Sequence, residues 1–136
     1  MSRRLAAGAA IIAGAVAFLA TGPAVAGAGG GGEKAPNRLL VRGQEFDLTL
    51  SRSEIGPGPA LIQFQNDGED PHDLQIRKQK GGATRSVGEL EPGALGSVEI
   101  RLQKGARYQL WCSLLNHRDL GMEAKLKVKR KQPAGP

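Results

Sequence analysis

The stretch "GSVEIRLQKGARYQLWC", residues 96–112, contains the clearest structural pattern in the chain. Apolar and polar residues alternate over 98–102 and again over 108–112, and a turn signal at 104–106 separates the two runs. Such alternation places every second side chain on the same face, as in a strand with one buried side. The stretch therefore predicts two strands joined by a tight turn, with Cys112 at the buried end of the second.

The rest of the chain repeats this pattern of short runs separated by turn residues such as "GPGP" (56–59) and "EPG" (91–93). The runs are "RLLVR", "EFDLTLS", "ALIQFQN", "DLQIRK", "SVGELEPG", "GSVEIRLQ", "ARYQLWC" and "EAKLKVK". No window has a sustained helical period. Seven or eight short strands in about a hundred residues predict an all-β fold, an antiparallel sandwich of two sheets that bury one face each.

The first 26 residues are typical of a secretory signal peptide. Arg3 and Arg4 precede an apolar run over 5–20, and a small-x-small site ends at Ala26. An uncleaved membrane anchor is the alternative, but a helix over 5–20 reaches only about 24 Å, short of the roughly 30 Å hydrocarbon core. We predict export to the periplasm or secretion, with cleavage after Ala26. The arginine pair leaves the general secretory and twin-arginine routes both open.

The remaining chain divides by composition into three parts. Residues 27–37 contain five glycines and no apolar period, which predicts a flexible leader. Residues 38–130 are long enough for one domain with a core, and 131–136 form a short tail.

Charge excludes some classes of partner. Without the first 26 residues the chain has 17 basic and 13 acidic residues, a net charge of +4. The basic run over 125–131 lacks the aromatic neighbours of a nucleic-acid binding surface. The acidic loop over 67–73 lacks the oxygen-ligand spacing of a calcium loop. We interpret both as solvated surface.

The segment "WCSLLNHRDLGM", residues 111–122, holds the only cysteine in the chain, one of its two histidines and its only methionine besides the initiator. A lone cysteine cannot form an internal disulfide, so Cys112 is buried and inert, intermolecular, or a ligand. His117 and Met122 follow it on the loop before the last strand. His72 stands at the head of another strand, where a sandwich can bring it beside that loop.

A thiolate, two imidazoles and a weak thioether form the ligand set of a blue-copper electron-transfer site. Thiolate and thioether suit Cu(I) and imidazole suits Cu(II), so a geometry acceptable to both needs little rearrangement when an electron moves. Zinc also accepts one cysteine and two histidines, but a thioether is a poor zinc ligand and a structural zinc site usually has more than one thiolate.

At these residues the sequence resembles the plastocyanin and azurin group of cupredoxins. The matching segments are "FQNDGEDPHDLQI", "LEPGALGSVEIRLQKG" and "YQLWCSLLNHRDLGMEAKLKV". The spacing Cys-x4-His-x4-Met is similar to that of small bacterial members of the auracyanin or halocyanin type. The resemblance implies a Greek-key β-sandwich and a one-electron carrier with one copper per chain, bound by His72, Cys112, His117 and Met122.

The chain departs from the family pattern around these ligands. Leu115 and Asn116 stand where relatives have Pro-Gly, and we expect Asn116 to adopt the left-handed conformation. Asp73 replaces a common Asn, and we predict that it still bonds Ser113 and that its charge lowers the reduction potential.

Two further residues have roles implied by the resemblance. Asn66 is expected to brace the loop that carries the first histidine, although an ordinary turn residue is the alternative. Alternation points Trp111 away from the copper face. Packing against the other sheet or the sandwich end, and a surface role in electron relay or partner contact, stay open.

We therefore expect an exported blue-copper protein that carries single electrons between redox partners by outer-sphere transfer. A copper-delivery protein with copper as cargo is the alternative, and a metal-free structural sandwich is a third reading. An enzymatic function is not expected, because the two ligand histidines leave none for a second copper centre. We expect a monomer with no nucleic-acid partner and no small-molecule substrate. A loose association with a membrane surface stays open.

Overall fold

A computed structural model describes residues 34–131, which lie within one compact unit. The predicted signal peptide, most of the leader and residues 132–136 of the tail lie outside the described residues. No helix within 34–131 is long and apolar enough to cross a membrane.

The described residues form nine strands. They are β1 (Asn37–Gln44), β2 (Asp47–Leu50), β3 (Glu54–Ile55), β4 (Gly58–Asn66), β5 (His72–Lys78), β6 (Arg85–Leu90), β7 (Leu95–Leu102), β8 (Arg107–Trp111) and β9 (Glu123–Val128). Eight of them coincide with the runs that the alternation predicts. The ninth, β3, has two residues, too few to show any period.

The strands form two sheets, with orders β2-β1-β4-β7 and β3-β9-β8-β5-β6. The all-β sandwich is as predicted, but the expectation of purely antiparallel sheets is wrong. β4 lies parallel to β1, and β3 lies parallel to β9. The parallel pairing arises because β2 and β3 carry the chain back to the end of the sandwich where β1 began, so β4 starts beside β1 and runs in the same direction.

The core lies between the inward faces of the two sheets. β1 and β4 supply Leu39, Val41, Ile62 and Phe64, and β5 and β8 supply Leu74, Ile76, Tyr108 and Leu110. Each of these side chains is at most 4% exposed, and they alternate along their strands with more exposed neighbours. Burial of this apolar surface is the main favourable term for folding. The inward direction predicted for Tyr108, Leu110 and Cys112 is confirmed.

Three neighbouring strands of the second sheet place the candidate donors at the same end of the sandwich. β5 begins at His72, β8 ends next to Cys112, and β9 begins just after Met122. Because β8 is antiparallel to both β5 and β9, the start of β5, the end of β8 and the start of β9 lie at the same end of the sandwich.

Two glycines show how closely the two sheets approach each other. A Cβ atom on Gly96 of β7 would lie 2.6 Å from Cγ1 of Val87 and 3.3 Å from two methyl carbons of Leu90, both on β6 of the other sheet. A Cβ atom on Gly88 would meet nothing within 4 Å. The sheets therefore touch at Gly96 and leave no room for a methyl group.

We expect Gly96→Ala to lower the free energy of unfolding by about 1–3 kcal/mol, the usual cost of overpacking a close-packed interior. Gly88→Ala is the same change on β6 of the other sheet, at a position with open space around it. It should leave the free energy of unfolding within about 0.5 kcal/mol of the wild-type value. Urea denaturation of both variants measures this. Equal stability of the two would contradict the close approach at Gly96.

Candidate metal centre

Three potential metal donors converge at the end of the sandwich. His72 Nδ1 lies 3.1 Å from His117 Nδ1, and Cys112 Sγ lies 3.9 Å and 3.6 Å from these two atoms. His72 and Cys112 are fully buried and His117 is 4% exposed. The three predicted donor atoms thus lie within 4.8 Å of one another.

Met122 closes the loop against these donors. Its backbone N–H donates to the carbonyl of His117 at 3.0 Å, and its carbonyl accepts from the N–H of Cys112 at 3.1 Å. The Met122 side chain is fully buried, and its methyl carbon would lie 3.0 Å from a Cβ atom on Gly43. All four residues that the sequence singled out are therefore at this end, and Gly43 leaves space for the thioether.

The turn before His117 differs from the sequence-based expectation. The N–H of His117 donates to the carbonyl of Leu114 at 3.1 Å, and this turn places Leu115, not Asn116, at a positive φ of 45°. The side chain of Leu115 is 92% exposed. The expectation for Asn116 is wrong, because within this turn the first central residue, Leu115, takes the left-handed conformation and the strain falls on a leucine.

Two opposing effects act on the pKa of the Cys112 thiol. Burial raises the pKa of the Cys112 thiol, while backbone N–H groups of Asp73 and Leu114 favour the thiolate. The net shift of the Cys112 pKa is upward, because burial outweighs these hydrogen bonds. A coordinated thiol loses its proton outright, so metal binding at this site must release one.

Asp73 connects the two segments that carry the donors. Its carboxylate accepts hydrogen bonds from the backbone N–H of Ser113 at 2.6 Å, the Ser113 hydroxyl at 2.5 Å and the Gln75 amide at 2.6 Å. Burial alone would raise the pKa of Asp73, but these hydrogen bonds outweigh it and lower that pKa. The contact expected between Asp73 and Ser113 is thus present, and a negative charge lies beside the cysteine.

Asn66 makes three hydrogen bonds around the loop before His72. Its amide donates to the carbonyls of Asp70 at 2.8 Å and Leu90 at 2.9 Å, and its side-chain oxygen accepts from the N–H of Gly68 at 2.9 Å. Asn66 is fully buried. These contacts tie the loop to the end of β6, which is what a residue that braces the loop must do.

Two neighbours of the donors come from the β1–β2 turn, and sequence reasoning missed both. The carboxylate of Glu45 lies 3.0 Å from His72 Nε2, and the ring of Phe46 lies 4.9 Å from the ring of His117. Local sequence carries no signal for either contact. The one available clue is general, since a metal-binding histidine usually donates its second N–H to a carboxylate or carbonyl.

Trp111 lies on the outer face of the second sheet and is partly exposed. The guanidinium groups of Arg118 and Arg77 lie 4.8 Å and 5.8 Å from its ring centroid. The outward direction predicted from alternation is confirmed. Cation–π contacts with the two arginines take the place of packing between the sheets.

Comparisons with known proteins identify the fold. No protein-family model and no curated protein matches the chain. Auracyanin from the photosynthetic bacterium Roseiflexus castenholzii is 16% identical with a TM-score of 0.54, over 67% of this chain and 95% of auracyanin. Auracyanin A, a blue copper protein from the green thermophilic photosynthetic bacterium Chloroflexus aurantiacus, is 16% identical with a TM-score of 0.56, over 70% and 100%.

Reduced rusticyanin is 18% identical with a TM-score of 0.51, over 68% of this chain and 78% of rusticyanin. These similarities show that the chain has the Greek-key β-sandwich of the cupredoxins, as the sequence predicted. The cluster of His72, Cys112, His117 and Met122 fits a single type 1 copper site within that sandwich. Two imidazoles, one thiolate and one thioether are the donors such a site requires.

The strain at Leu115 leads to a prediction that can be tested on the metal-free protein. A left-handed conformation costs a non-glycine residue roughly 1–2 kcal/mol, and glycine adopts it without that cost. After the entropy that glycine adds to the unfolded chain, we expect Leu115→Gly to raise the free energy of unfolding by about 0.5–1 kcal/mol.

Leu120→Gly is the matched control, because Leu120 lies in the same loop, is 52% exposed and has no positive φ. It should give no gain. Urea denaturation of the metal-free proteins measures both. A loss of stability in Leu115→Gly equal to that in Leu120→Gly would contradict the strain at Leu115.

Proposed function

We propose that this chain is an exported blue-copper protein that carries single electrons between redox partners by outer-sphere transfer. One observation carries the proposal: His72, Cys112 and His117 present donor atoms within 4.8 Å of one another in a buried site. Strand β5 holds His72, and backbone hydrogen bonds link Cys112, His117 and Met122, so the donors have defined positions.

In this proposal the imidazoles of His72 and His117, the thiolate of Cys112 and the thioether of Met122 would hold copper. Copper, when bound, supplies the one-electron couple. The chain supplies the fixed donor positions, excludes water through burial and keeps Cys112 next to the charge of Asp73. Little atomic rearrangement is then needed when the oxidation state changes.

Burial of the donors favours a carrier over copper delivery. A delivery site must release its metal to another protein, which requires accessible ligands, and here the most exposed of the three clustered donors is His117 at 4%. An enzymatic copper centre would need further histidines, and the chain has only the two used here. An electron carrier therefore accounts best for the site.

A redox partner would approach the end of the sandwich that carries the donors, because electron transfer weakens steeply with distance. Leu115 and Leu120 in the loop around His117 are 92% and 52% exposed, which offers an apolar contact surface. Trp111, joined covalently to Cys112, offers a second approach on the outer face of the sheet.

Export and a loose membrane association belong to the same proposal. The pattern in residues 1–26 supports export. At the opposite end of the sandwich, one groove is lined by five basic side chains and by Glu54, which pairs with Lys127 at 3.1 Å. The basic residues are Arg107, Lys127, Lys129, Arg130 and Lys131. Anionic lipid headgroups attract such a cluster by about 1 kcal/mol per basic residue. Contact through this end would leave the copper centre facing away from the lipid.

We expect one equivalent of Cu(II) to turn the purified protein intensely blue through thiolate-to-copper charge transfer. Ascorbate should bleach the colour, and reoxidation should restore it with copper retained. Cys112→Ser should remove the band, whereas Arg118→Ala, a change in the same loop without a donor, should preserve it. Visible absorption with copper analysis after repeated redox cycles measures this.

Three results would count against an electron carrier. A colourless Cu(II) complex would mean that Cys112 does not bind copper. A blue band that persists in Cys112→Ser would mean that another group produces it. Loss of copper to a chelator at each reduction, with none lost in the oxidised state, would favour copper as cargo.

The charge of Asp73 leads to a second prediction. Removing a negative charge beside the thiolate destabilises Cu(II) more than Cu(I), so Asp73→Asn should raise the reduction potential. Each tenfold change in relative affinity corresponds to about 59 mV. Asp119→Asn removes the charge of an exposed carboxylate in the loop that carries His117; it is the control and should shift the potential little. A potential that stays equal or falls in Asp73→Asn would refute this role.

A further inference from the structure

The second nitrogen of His72 has a charged partner. His72 Nδ1 faces Cys112 and His117, while His72 Nε2 lies 3.0 Å from Oε1 of Glu45. A ring nitrogen that binds a metal must be free of its proton. Nε2 then carries the hydrogen and donates it to the carboxylate. The ring geometry therefore matches the arrangement in which a carboxylate fixes the tautomer of a metal-binding histidine.

Glu45 is itself held in place from several sides. The same Oε1 atom accepts from the backbone N–H groups of Glu69 at 2.7 Å and Asp70 at 2.9 Å. A Cβ atom on Gly68 would overlap the carboxylate, so only glycine at that position lets it enter the loop. A glutamate is ordinarily ionised at neutral pH, and hydrogen bonds from backbone N–H groups favour the charged form. The group beside His72 is thus a carboxylate in a fixed position.

We propose that Glu45 is a positioning residue that holds His72 in the copper-binding tautomer and lowers the reduction potential of the centre. The inference rests on the proposed copper function and deepens it. A carboxylate bonded to Nε2–H makes the imidazole a stronger donor and places negative charge near the metal, and both effects favour Cu(II) over Cu(I).

Glu45 and Asp73 act on different ligands. Asp73 bonds the segment that carries Cys112, whereas Glu45 bonds the ring of His72. The buried centre therefore has one carboxylate beside its thiolate and another beside an imidazole. The two contributions should add, because the carboxylates touch different donors and share no hydrogen-bonding partner among the described contacts.

A purely structural role is the rival explanation, since Glu45 also accepts two backbone N–H groups of the loop before His72. Glu45→Gln separates the two roles. The amide oxygen can still accept hydrogen bonds from His72 and the loop, but the charge is gone. We expect a tenfold larger loss of Cu(II) affinity than of Cu(I) affinity, which is a rise in potential of about 59 mV. A structural role would lower the stability of the metal-free protein and leave the potential unchanged.

Glu69→Gln is the matched control, because it removes the same charge from an exposed side chain of the same loop. Redox titration of the copper-loaded proteins and urea denaturation of the metal-free proteins supply the two readouts. A potential in Glu45→Gln equal to that of the wild type, or a shift of the same size in Glu69→Gln, would overturn the inference.

The wild-type protein offers a test that does not depend on a variant folding. Nitrogen NMR of the metal-free protein at mildly alkaline pH should show His72 with its hydrogen on Nε2. A hydrogen on Nδ1 would overturn the positioning role. The two proposals also fail separately: a wild-type protein without a blue copper complex refutes the copper function, whereas a blue wild type with an unshifted Glu45→Gln refutes only the role of Glu45.

Discussion

The antiparallel pairing of β8 with β5 on one side and β9 on the other is the constraint on which the rest of the structure depends. This ladder aligns Gln75 with Trp111 and Trp111 with Glu123, and so brings His72, Cys112 and Met122 to one end of one sheet. The hydrogen bonds of this ladder, which run between neighbouring strands of the sheet, fix these positions. The loop from 112 to 122 then has only to fold His117 back over them. Hydrogen bonds between Met122 and both Cys112 and His117 complete that closure.

Much of the fold could be predicted from sequence because burial imposes a period of two on a strand. The runs over 98–102 and 108–112 show this directly, and their strands lie where the alternation places them. The direction of pairing could not be predicted, since alternation is the same for parallel and antiparallel neighbours. The parallel contact of β1 with β4 depends on where the chain returns after β3, a two-residue strand without its own pattern.

The donors could be identified because cysteine, histidine and methionine are scarce in this chain, so their grouping over 111–122 is informative. The residues that surround the donors were harder to predict from the sequence. The contact of Asp73 with Ser113 followed from a family resemblance, while Glu45 approaches His72 from a turn 27 positions earlier and has no local signature. Leu115 shows a different limit. Propensity favours Asn116 for a left-handed conformation, but in the turn that His117 and Leu114 close it is Leu115 that has the positive φ.

The placement of Trp111 has a consequence for observing this protein. It is the only tryptophan in the chain and is joined by one peptide bond to Cys112, so all indole fluorescence originates beside the proposed copper ligand. The two guanidinium groups over its ring keep the indole in a defined, partly exposed environment. The indole emission of this single side chain is thus a built-in optical reporter of the state of the centre, with no second tryptophan to average it.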